Sequence, residues 1–321
     1  MNRRWLVLVL VPIDLGMALM ALPAGIVMRL FRRIGARRLR ITKWVLRRIG
    51  VFPIADHYYE PLFQPSQLPR PLHADRFLPG LDLDEEGQLR TFSGMQAARE
   101  LIDLQWDGEP RDPGGFRLGN GSFESGDAEF LYQLIRSTRP RRVIEIGSGY
   151  STKVARLALE KNRSEDGVEA VHTCVEPYEM PWLESLGVKV LRRKVEDCDL
   201  EMFQALGERD LLFIDSSHMI RPQGDVLQEY LAIIPTLRPG VYVHVHDVFT
   251  PRDYLEEWVA GDVVFWNEQY LMEALLSGSS RYRVVAALNF LKRHNYDALK
   301  RVCPYLDEQR EPGSFYFQVV G

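Results

Sequence analysis

The chain has 321 residues, of which 46% are hydrophobic and 26% charged. This is enough for one large α/β domain with an appendage, and it excludes a disordered or collagen-like protein. The net charge of −4 is uneven, because residues 1–50 carry eleven Arg and Lys against one Asp, a net +10, so the remaining residues carry −14. An acidic body argues against nucleic acid as a partner, since phosphate binding depends on clustered Lys and Arg. Three separated cysteines without a CxxC pair indicate reduced thiols in a cytosolic body.

The first predicted element is an apolar segment from Trp5 to Met28, whose 24 residues are about the length that a bilayer-spanning helix requires. Pro12 and Pro23 would kink such a helix, and Asp14 costs roughly 3 kcal/mol at bilayer depth. We therefore expect the segment either to span the membrane or to lie on it.

A basic amphipathic pattern follows in residues 29–50, where apolar residues recur at helical spacing among nine Arg and Lys. Helices on an anionic membrane surface have this pattern. The alternatives are a cleaved secretory signal, which the dense positive charge opposes, or helices that pack on the body or on a partner. We expect residues 1–50 to be membrane-associating helices that hold a cytoplasmic catalytic body at the inner face of the plasma membrane.

Residues 51–118 are interpreted as an irregular connector or lid, because they contain eight of the 19 prolines. One short helix is predicted near Gly94–Leu104. The sequence HYYEPLF at residues 57–63 is compatible with packing and with a lid.

Residues 119–321 alternate between helical and strand patterns, which predicts a Rossmann-like, doubly wound α/β sheet with helices on both faces. Helices are predicted at Phe130–Arg136 and Asp225–Leu237. The last two strands are expected to close the sheet as an antiparallel hairpin. The predicted strands are Arg142–Ile146, Ala170–Glu176, Val188–Arg192, Leu211–Asp215, Val241–His246, Arg281–Leu288 and Ser314–Val320.

The glycine turn of RVIEIGSGYSTKVA follows the first strand, at the edge where open parallel sheets bind ligands. A dinucleotide fingerprint would have a third glycine where this chain has Thr152. Glu145 precedes the turn, where a carboxylate repels a phosphate but pairs with a cationic amino group. S-adenosylmethionine, which has a sulfonium and an ammonium group and no phosphate, fits this pattern. The candidate cofactor contacts of the turn are Glu145, Gly147, Ser148 and Gly149.

Acids also end the next strands. Glu176 ends the second strand, from which a carboxylate can accept hydrogen bonds from both ribose hydroxyls. Asp197, in the Glu196–Asp197 pair after the third strand, is a candidate contact near the adenine, with a solvated loop as the alternative. Asp215 at the end of the fourth strand is a further candidate cofactor contact.

Polar residues collect at the ends of the fourth and fifth strands, Asp215 with His218 and His246 with Asp247. Because these strands are expected to be neighbours, the four side chains should converge in one catalytic pocket. His218 and His246 are candidate bases, since histidine titrates near neutrality, and the two aspartates would orient a histidine or hold a metal. The alternative is that the aspartates only cap helices. We expect His244 to be a satisfied core histidine.

From Gly119 to Val320, the chain resembles class I S-adenosylmethionine-dependent methyltransferases, in particular bacterial proteins of the methyltransferase-24 type. The resemblance is carried by VIEIGSGYSTKVA, VEPYEMPWL, LLFIDSSH, GVYVHVHDVF and FWNEQYL. It implies a seven-stranded sheet with one antiparallel strand. It also implies that Gly147, Gly149 and Glu176 contact the cofactor.

The chain is also similar to metal-dependent O-methyltransferases of the catechol type, which bind a metal through an acid after the fourth strand and an acid–amide pair after the fifth. The corresponding candidate metal ligands are Asp215, His246 and Asp247. Carboxylates suit magnesium, whereas His246 departs from the pattern and suits a softer metal. A histidine base is therefore favoured over a divalent metal.

These features predict an S-adenosylmethionine-dependent methyltransferase that methylates an oxygen of a lipid-linked or envelope-related small molecule or glycan. Phe123, Trp266 and Tyr270 would frame the acceptor pocket or, alternatively, belong to the core. A second hypothesis is a non-catalytic, membrane-tethered binding or scaffold protein that retains the fold. A nicotinamide dehydrogenase is disfavoured by Thr152 and Glu145. The sequence makes no prediction about oligomeric state.

Overall fold

The computed structural model of the protein describes residues 3–108, 115–178 and 180–321, with side-chain surroundings from residue 10 onward. Two prolines of the predicted connector, at positions 110 and 113, and Glu179 of the VEPYEMPWL motif lie outside the described residues.

The chain divides into two compact units, Met1–Pro69 and Arg70–Gly321. The proline content predicted a boundary after residue 118, whereas the boundary between the two units falls after Pro69. The physical reason is burial, because Leu101, Trp106 and Phe116 belong to the same apolar core as the helices that follow them.

The first unit consists mainly of helix α1 (Arg3–Ile34) and helix α2 (Arg40–Arg48), with a short 3₁₀ turn at Pro65–Gln67. Pro12 and Pro23 lie inside α1 without ending it. Residues 10–34 contain an exposed apolar stretch with a mean hydropathy of 1.9, and Phe31 near the end of the segment is buried. By length and composition α1 is long enough to cross a membrane, although a signal sequence has the same properties.

The second unit contains one seven-stranded sheet, as predicted. The strands are β1 (Arg142–Ile146), β2 (Val171–Val175), β3 (Lys189–Leu191), β4 (Leu211–Ile214), β5 (Tyr242–Val245), β6 (Tyr282–Ala287) and β7 (Phe315–Val319). Their order is β3-β2-β1-β4-β5-β7-β6, and β7 alone runs in the opposite direction to the other six strands. Each predicted strand is confirmed to within one or two residues at its ends.

Helices cover both faces of the sheet. The helices are α3 (Glu85–Phe92), α4 (Ala98–Leu104), α5 (Asp127–Thr138), α6 (Tyr150–Asp166), α7 (Leu200–Gln204), α8 (Asp225–Gln228), α9 (Glu268–Leu276), α10 (Leu288–His294) and α11 (Tyr296–Val302). One apolar core contains residues of α4, α5, α6, α10 and α11, and a second contains residues of α8 and α9. The predicted helix over 225–237 is α8 continued by a π turn at Glu229–Ile233 and a 3₁₀ turn at Ile234–Thr236, because Pro235 has no amide hydrogen for a regular helix.

Strands β1, β2, β4 and β5 are mutually parallel, so their carboxyl ends lie at one edge of the sheet. The segments that begin at Gly147, Glu176, Asp215 and His246 all leave the sheet there. The fold therefore brings together residues that are up to 100 positions apart in the chain.

Candidate active site

The turn after β1 requires glycine at position 147 for a steric reason. Gly147 has φ of +76°, and a Cβ at this position would lie 1.8 Å from the carbonyl oxygen of Asp215. Both the left-handed backbone and the close approach exclude other residues. Gly149 has an extended φ of −174°, and a Cβ there would have Met180 Cε at 3.7 Å as its nearest neighbour. The space at Gly147 is thus filled by the β4 loop and not by a ligand.

Glu145 is fully buried and is not part of the lining of the cavity at the carboxyl ends of β1, β2 and β4. Its carboxylate accepts hydrogen bonds from Thr152 Oγ1 at 2.6 Å and Ser151 Oγ at 3.3 Å, and it lies 2.8 Å from His172 Nε2. The structure therefore corrects the prediction that Glu145 pairs with a cofactor amino group. A buried carboxylate needs hydrogen-bond partners, and Glu145 finds two of them in the first turn of α6. We infer that these bonds stabilise the start of that helix.

A cavity of about 370 Å³ opens at the carboxyl ends of β1, β2 and β4. Gly147 and Glu176 form part of its wall, as predicted for the cofactor site. The Glu176 carboxylate accepts hydrogen bonds from the amides of Tyr178 at 2.9 Å and Ser148 at 3.3 Å, which fix its orientation. The Ser148 hydroxyl is buried and has no hydrogen-bond partner among the described residues. The ionisable residues that line the cavity are Glu176, Lys194, Glu196, Asp215, Arg221 and Asp225, a net charge of −2.

Beyond β3, the cavity is lined by Glu196 and not by Asp197. Both residues belong to the 3₁₀ turn Val195–Asp197, in which neighbouring side chains point about 120° apart. Val195 points into the core, Glu196 faces the cavity and Asp197 is exposed to solvent. The contact near the adenine that was predicted for Asp197 is therefore assigned to Glu196.

Asp215, His218 and Asp247 converge at the same edge. The Nε2 atom of His218 lies 3.3 Å from Asp215 Oδ1 and 3.5 Å from Asp247 Oδ2, and one potential ligand atom of each residue falls within 4.8 Å of the others. His218 and Asp247 both have left-handed backbone, with φ of 57° and 56°. Residues other than glycine adopt this conformation at a cost, and such strain concentrates at functional sites. The predicted convergence of the two strand ends is thus observed.

Glu268, at the start of α9, completes the surroundings of His218. Its Oε2 accepts a hydrogen bond from His218 Nδ1 at 2.8 Å, and its Oε1 accepts one from the Tyr230 hydroxyl at 3.0 Å. Sequence reasoning missed this residue, because it assigned the orienting role to an aspartate. Glu268 lies within FWNEQYL, one of the segments that carry the family resemblance, but an acid at that position is indistinguishable by type from an ordinary helix-start acid.

The three carboxylates change the charge of His218. Burial lowers the pKa of His218, but the hydrogen bonds to Asp215 and Glu268 outweigh it and raise that pKa well above its usual value. Burial also raises the pKa of Asp215, yet the nearby His246 and His218 lower it to about 2. His218 is therefore positively charged at neutral pH when no metal is bound, which differs from the neutral base that the sequence favours.

His246 lies next to this cluster but outside it. Its Nε2 is 3.6 Å from Asp247 Oδ1, and its ring packs 5.2 Å from the ring of Phe123. Burial lowers the pKa of His246, but Asp247 and Asp215 raise it more. The predicted metal set therefore changes, because His218 and not His246 offers the nitrogen close to both aspartates. His244 is a core residue as predicted, with Nε2 2.9 Å from Ser314 Oγ, but it is only partly satisfied, because its buried Nδ1 has no hydrogen-bond partner among the described residues.

Of the three aromatic residues predicted to frame the acceptor pocket, two reach the histidines. Phe123 contacts His246, and the ring of Trp266 lies 4.5 Å from that of His218. Tyr270 instead packs on the guanidinium of Arg76 at 5.1 Å and donates a hydrogen bond to Asp253.

Comparisons with known proteins give a matching family model and similar proteins. Residues 144–248 match the family model described as a methyltransferase domain. An uncharacterized protein of Archaeoglobus fulgidus is 28% identical over 174 residues, which cover 50% of this chain and 77% of that protein.

Two solved structures are similar at low identity. One is CmcI with Mg and SAM, with 13% identity over 68% of this chain and 84% of that chain, at a TM-score of 0.36. The other is the plantazolicin methyltransferase BpumL in complex with a pentazolic desmethylPZN analog and SAH, with 12% identity over 74% of this chain and 98% of that chain, also at 0.36.

Proposed function

We propose that this chain, whose residues 144–248 match a methyltransferase-domain model, is a class I S-adenosylmethionine-dependent methyltransferase that methylates a hydroxyl oxygen of a lipid-linked or envelope-related small molecule or glycan. The observation that carries the proposal is the cluster of Asp215, His218 and Asp247 beside an acidic cavity at the carboxyl edge of the sheet. This is the edge where a cofactor and an acceptor can meet.

The cavity residues suit the cofactor's adenosine and its positive charges. In our proposal Glu176 accepts hydrogen bonds from the ribose hydroxyls, Glu196 borders the adenine, and the backbone from Gly147 to Gly149 lies against the methionine part. The bound cofactor supplies a methyl group that is activated by its sulfonium charge. The lining stays acidic despite Arg221, because the guanidinium of Arg221 lies 3.7 Å from the carboxylate of Asp225, whose negative charge offsets its positive charge.

The donor set of Asp215, His218 and Asp247 fits a divalent cation, because two carboxylates and one imidazole surround a single point. A bound cation there would lower the pKa of an acceptor hydroxyl. Glu268 orients the imidazole through Nδ1, which leaves Nε2 directed towards the two aspartates. We therefore favour the metal over the histidine base, since one potential ligand atom from each of Asp215, His218 and Asp247 surrounds a single point.

The first unit supports a position at an anionic membrane surface. Helix α2 has Arg and Lys at positions 40, 43, 47 and 48, and it exposes an apolar face formed by Ile41, Trp44, Val45 and the adjoining Ile49. An exposed tryptophan among basic residues is typical of interfacial helices. We propose that α1 anchors the chain and that α2 lies on the inner leaflet, with the catalytic unit in the cytoplasm.

Incubation of the full-length protein with labelled S-adenosylmethionine and fractionated membrane extract tests the proposed function. We expect label in a lipid-linked or glycan fraction, and its loss with Asp247→Asn. Glu169→Gln serves as a matched control, because Glu169 is exposed just before β2, at the opposite edge of the sheet. Equal labelling by Asp247→Asn and the wild type would contradict the assignment of the cluster.

Co-sedimentation with anionic vesicles tests the membrane proposal. We expect the full-length protein to pellet and a chain that begins at Arg70, the start of the second unit, to stay in solution. Salt should weaken interfacial binding and have little effect on an inserted α1. Equal pelleting of both chains would place the membrane contact outside the first unit.

A further inference from the structure

Two tryptophans extend outward from the catalytic cluster. The ring of Trp266 lies 4.5 Å from the ring of His218, and the ring of Trp258 lies 5.3 Å from that of Trp266. Both indoles are half-buried. The chain holds them together through the backbone, because the amide of Val264 donates to the carbonyl of Trp258 at 3.0 Å and the amide of Asn267 donates to the carbonyl of His218 at 2.9 Å.

A buried layer supports the two indoles from behind. Phe249 and Tyr254 are 1% exposed, and their rings lie 5.3 Å from Trp258 and 6.3 Å from Trp266, respectively. The Tyr254 hydroxyl accepts a hydrogen bond from the amide of Gln269 at 3.0 Å. The indoles are therefore held in place by the protein itself, and the part of each that stays exposed offers a rigid apolar surface that begins beside His218.

The segment that carries these indoles, residues 254–267, has only negative charges. Its three ionisable acids, Glu256, Glu257 and Asp262, are exposed, and it contains no Lys or Arg. Exposed charges of one sign on a segment disfavour the approach of ligands of the same sign at low salt.

We propose that Trp258 and Trp266 form the acceptor platform, and that the acceptor presents to it a ring with an apolar face and no negative charge near the reacting hydroxyl. Both an aromatic ring and the C–H face of a pyranose have this chemistry, and a cationic substituent would add attraction to the indoles. The inference rests on the proposed function, whose acceptor class it narrows. The three exposed acids should disfavour anionic sugars and ring carboxylates at low ionic strength.

The test uses the full-length protein in a polyoxyethylene detergent with S-adenosylhomocysteine present. The probes are 4-methylcatechol, dopamine, 3,4-dihydroxybenzoate, methyl glucoside and methyl glucuronide, with binding measured by ligand-observed NMR. At low salt we expect the neutral and cationic probes to bind at least about threefold more tightly than the anionic probe with the same ring. Trp258→Ala should weaken binding of the neutral probes about five- to tenfold, and Trp258→Phe should retain most of it.

A variant that neutralises the three acids tests whether their charge, and not the net charge of the protein, disfavours the anionic probes. Glu256→Gln/Glu257→Gln/Asp262→Asn should reduce the discrimination against the anionic probes, whereas Glu169→Gln/Glu208→Gln, at the opposite edge of the sheet, should leave it unchanged. Binding of the anionic probes equal to that of the neutral ones, no binding of any ring, or an unchanged Trp258→Ala would each overturn the platform. Calorimetry with S-adenosylhomocysteine is read separately, since absence of cofactor binding would overturn the proposed function instead.

Discussion

Among its described residues, the second unit contains two clusters of three potential metal ligands. Glu145 lies on β1 with His172 and Cys174 on β2, whereas Asp215, His218 and Asp247 lie beyond β4 and β5. In both clusters the potential ligand atoms lie within 4.8 Å of one another. The composition and the spacing therefore do not distinguish a structural cluster from a functional one.

Burial and hydrogen bonding distinguish them. All three residues of the first cluster are buried, and its carboxylate is already satisfied by two hydroxyls of α6. Burial, together with the charge of Glu145, raises the pKa of the Cys174 thiol, so it stays protonated and is a poor ligand. Asp215 and Asp247 of the second cluster are partly exposed, and Asp215 lines the cavity. We infer that the first cluster holds β1, β2 and α6 together and that the second does chemistry.

The largest expected effect separates the clusters by activity. Asp215→Ala removes one of two carboxylates that face His218, so we expect methyl transfer to fall about a thousandfold and bound divalent metal to be lost with it. The measurements are initial rates with labelled S-adenosylmethionine and metal content after dialysis. A chelator should inactivate the wild type reversibly. Full activity after chelation would instead favour a histidine base.

Glu145→Ala is the reciprocal experiment. It leaves two buried hydroxyls and one imidazole without their acceptor, so we expect the free energy of unfolding to fall by about 3 kcal/mol, with metal content unchanged in the folded protein. Urea unfolding measures this loss, and Glu145→Gln should lose less because the amide oxygen still accepts. Loss of bound metal with an unaltered free energy of unfolding would show that the first cluster, Glu145, His172 and Cys174, is the metal site.

Gly147→Ala and Gly149→Ala compare two glycines of the turn between β1 and α6. Alanine at 147 meets the carbonyl of Asp215 in a left-handed backbone, so we expect a loss of about 2 kcal/mol or more together with weakened cofactor binding. Alanine at 149 has room in the folded protein, so we expect its free energy of unfolding to change little. Thermal unfolding and calorimetric titration with S-adenosylhomocysteine check the pair, and equal effects would contradict the steric argument.

The smallest expected effect is the pH dependence of stability in metal-free protein. The pKa of His218 is raised in the folded state, so its stabilising contribution is complete below the unfolded pKa of about 6.5 and is lost as pH rises through the folded value. Between pH 6 and 9, the melting temperature of the metal-free wild type should therefore fall more than that of His218→Gln. Parallel curves would show that His218 is not charged in the folded protein.

Local patterns were sufficient to predict most of the second unit. Alternating apolar residues bounded by Gly and Pro located all seven strands, and strand ends rich in Asp and His predicted the meeting of Asp215, His218 and Asp247. Such predictions succeed because the residue after a parallel strand must leave the sheet at the carboxyl edge, whatever the rest of the chain does.

Other properties depend on packing between distant segments. The sequence by itself determined the sheet, its ligand-binding edge and the residue types placed there. Only the tertiary structure decided that Glu145 is sealed by α6, that Glu268 reaches His218 from fifty residues away, and that residues 70–118 belong to the catalytic unit. The physical reason is that burial and partner choice are set by contacts between elements, which have no fixed spacing along the chain, whereas strand periodicity is written in adjacent residues.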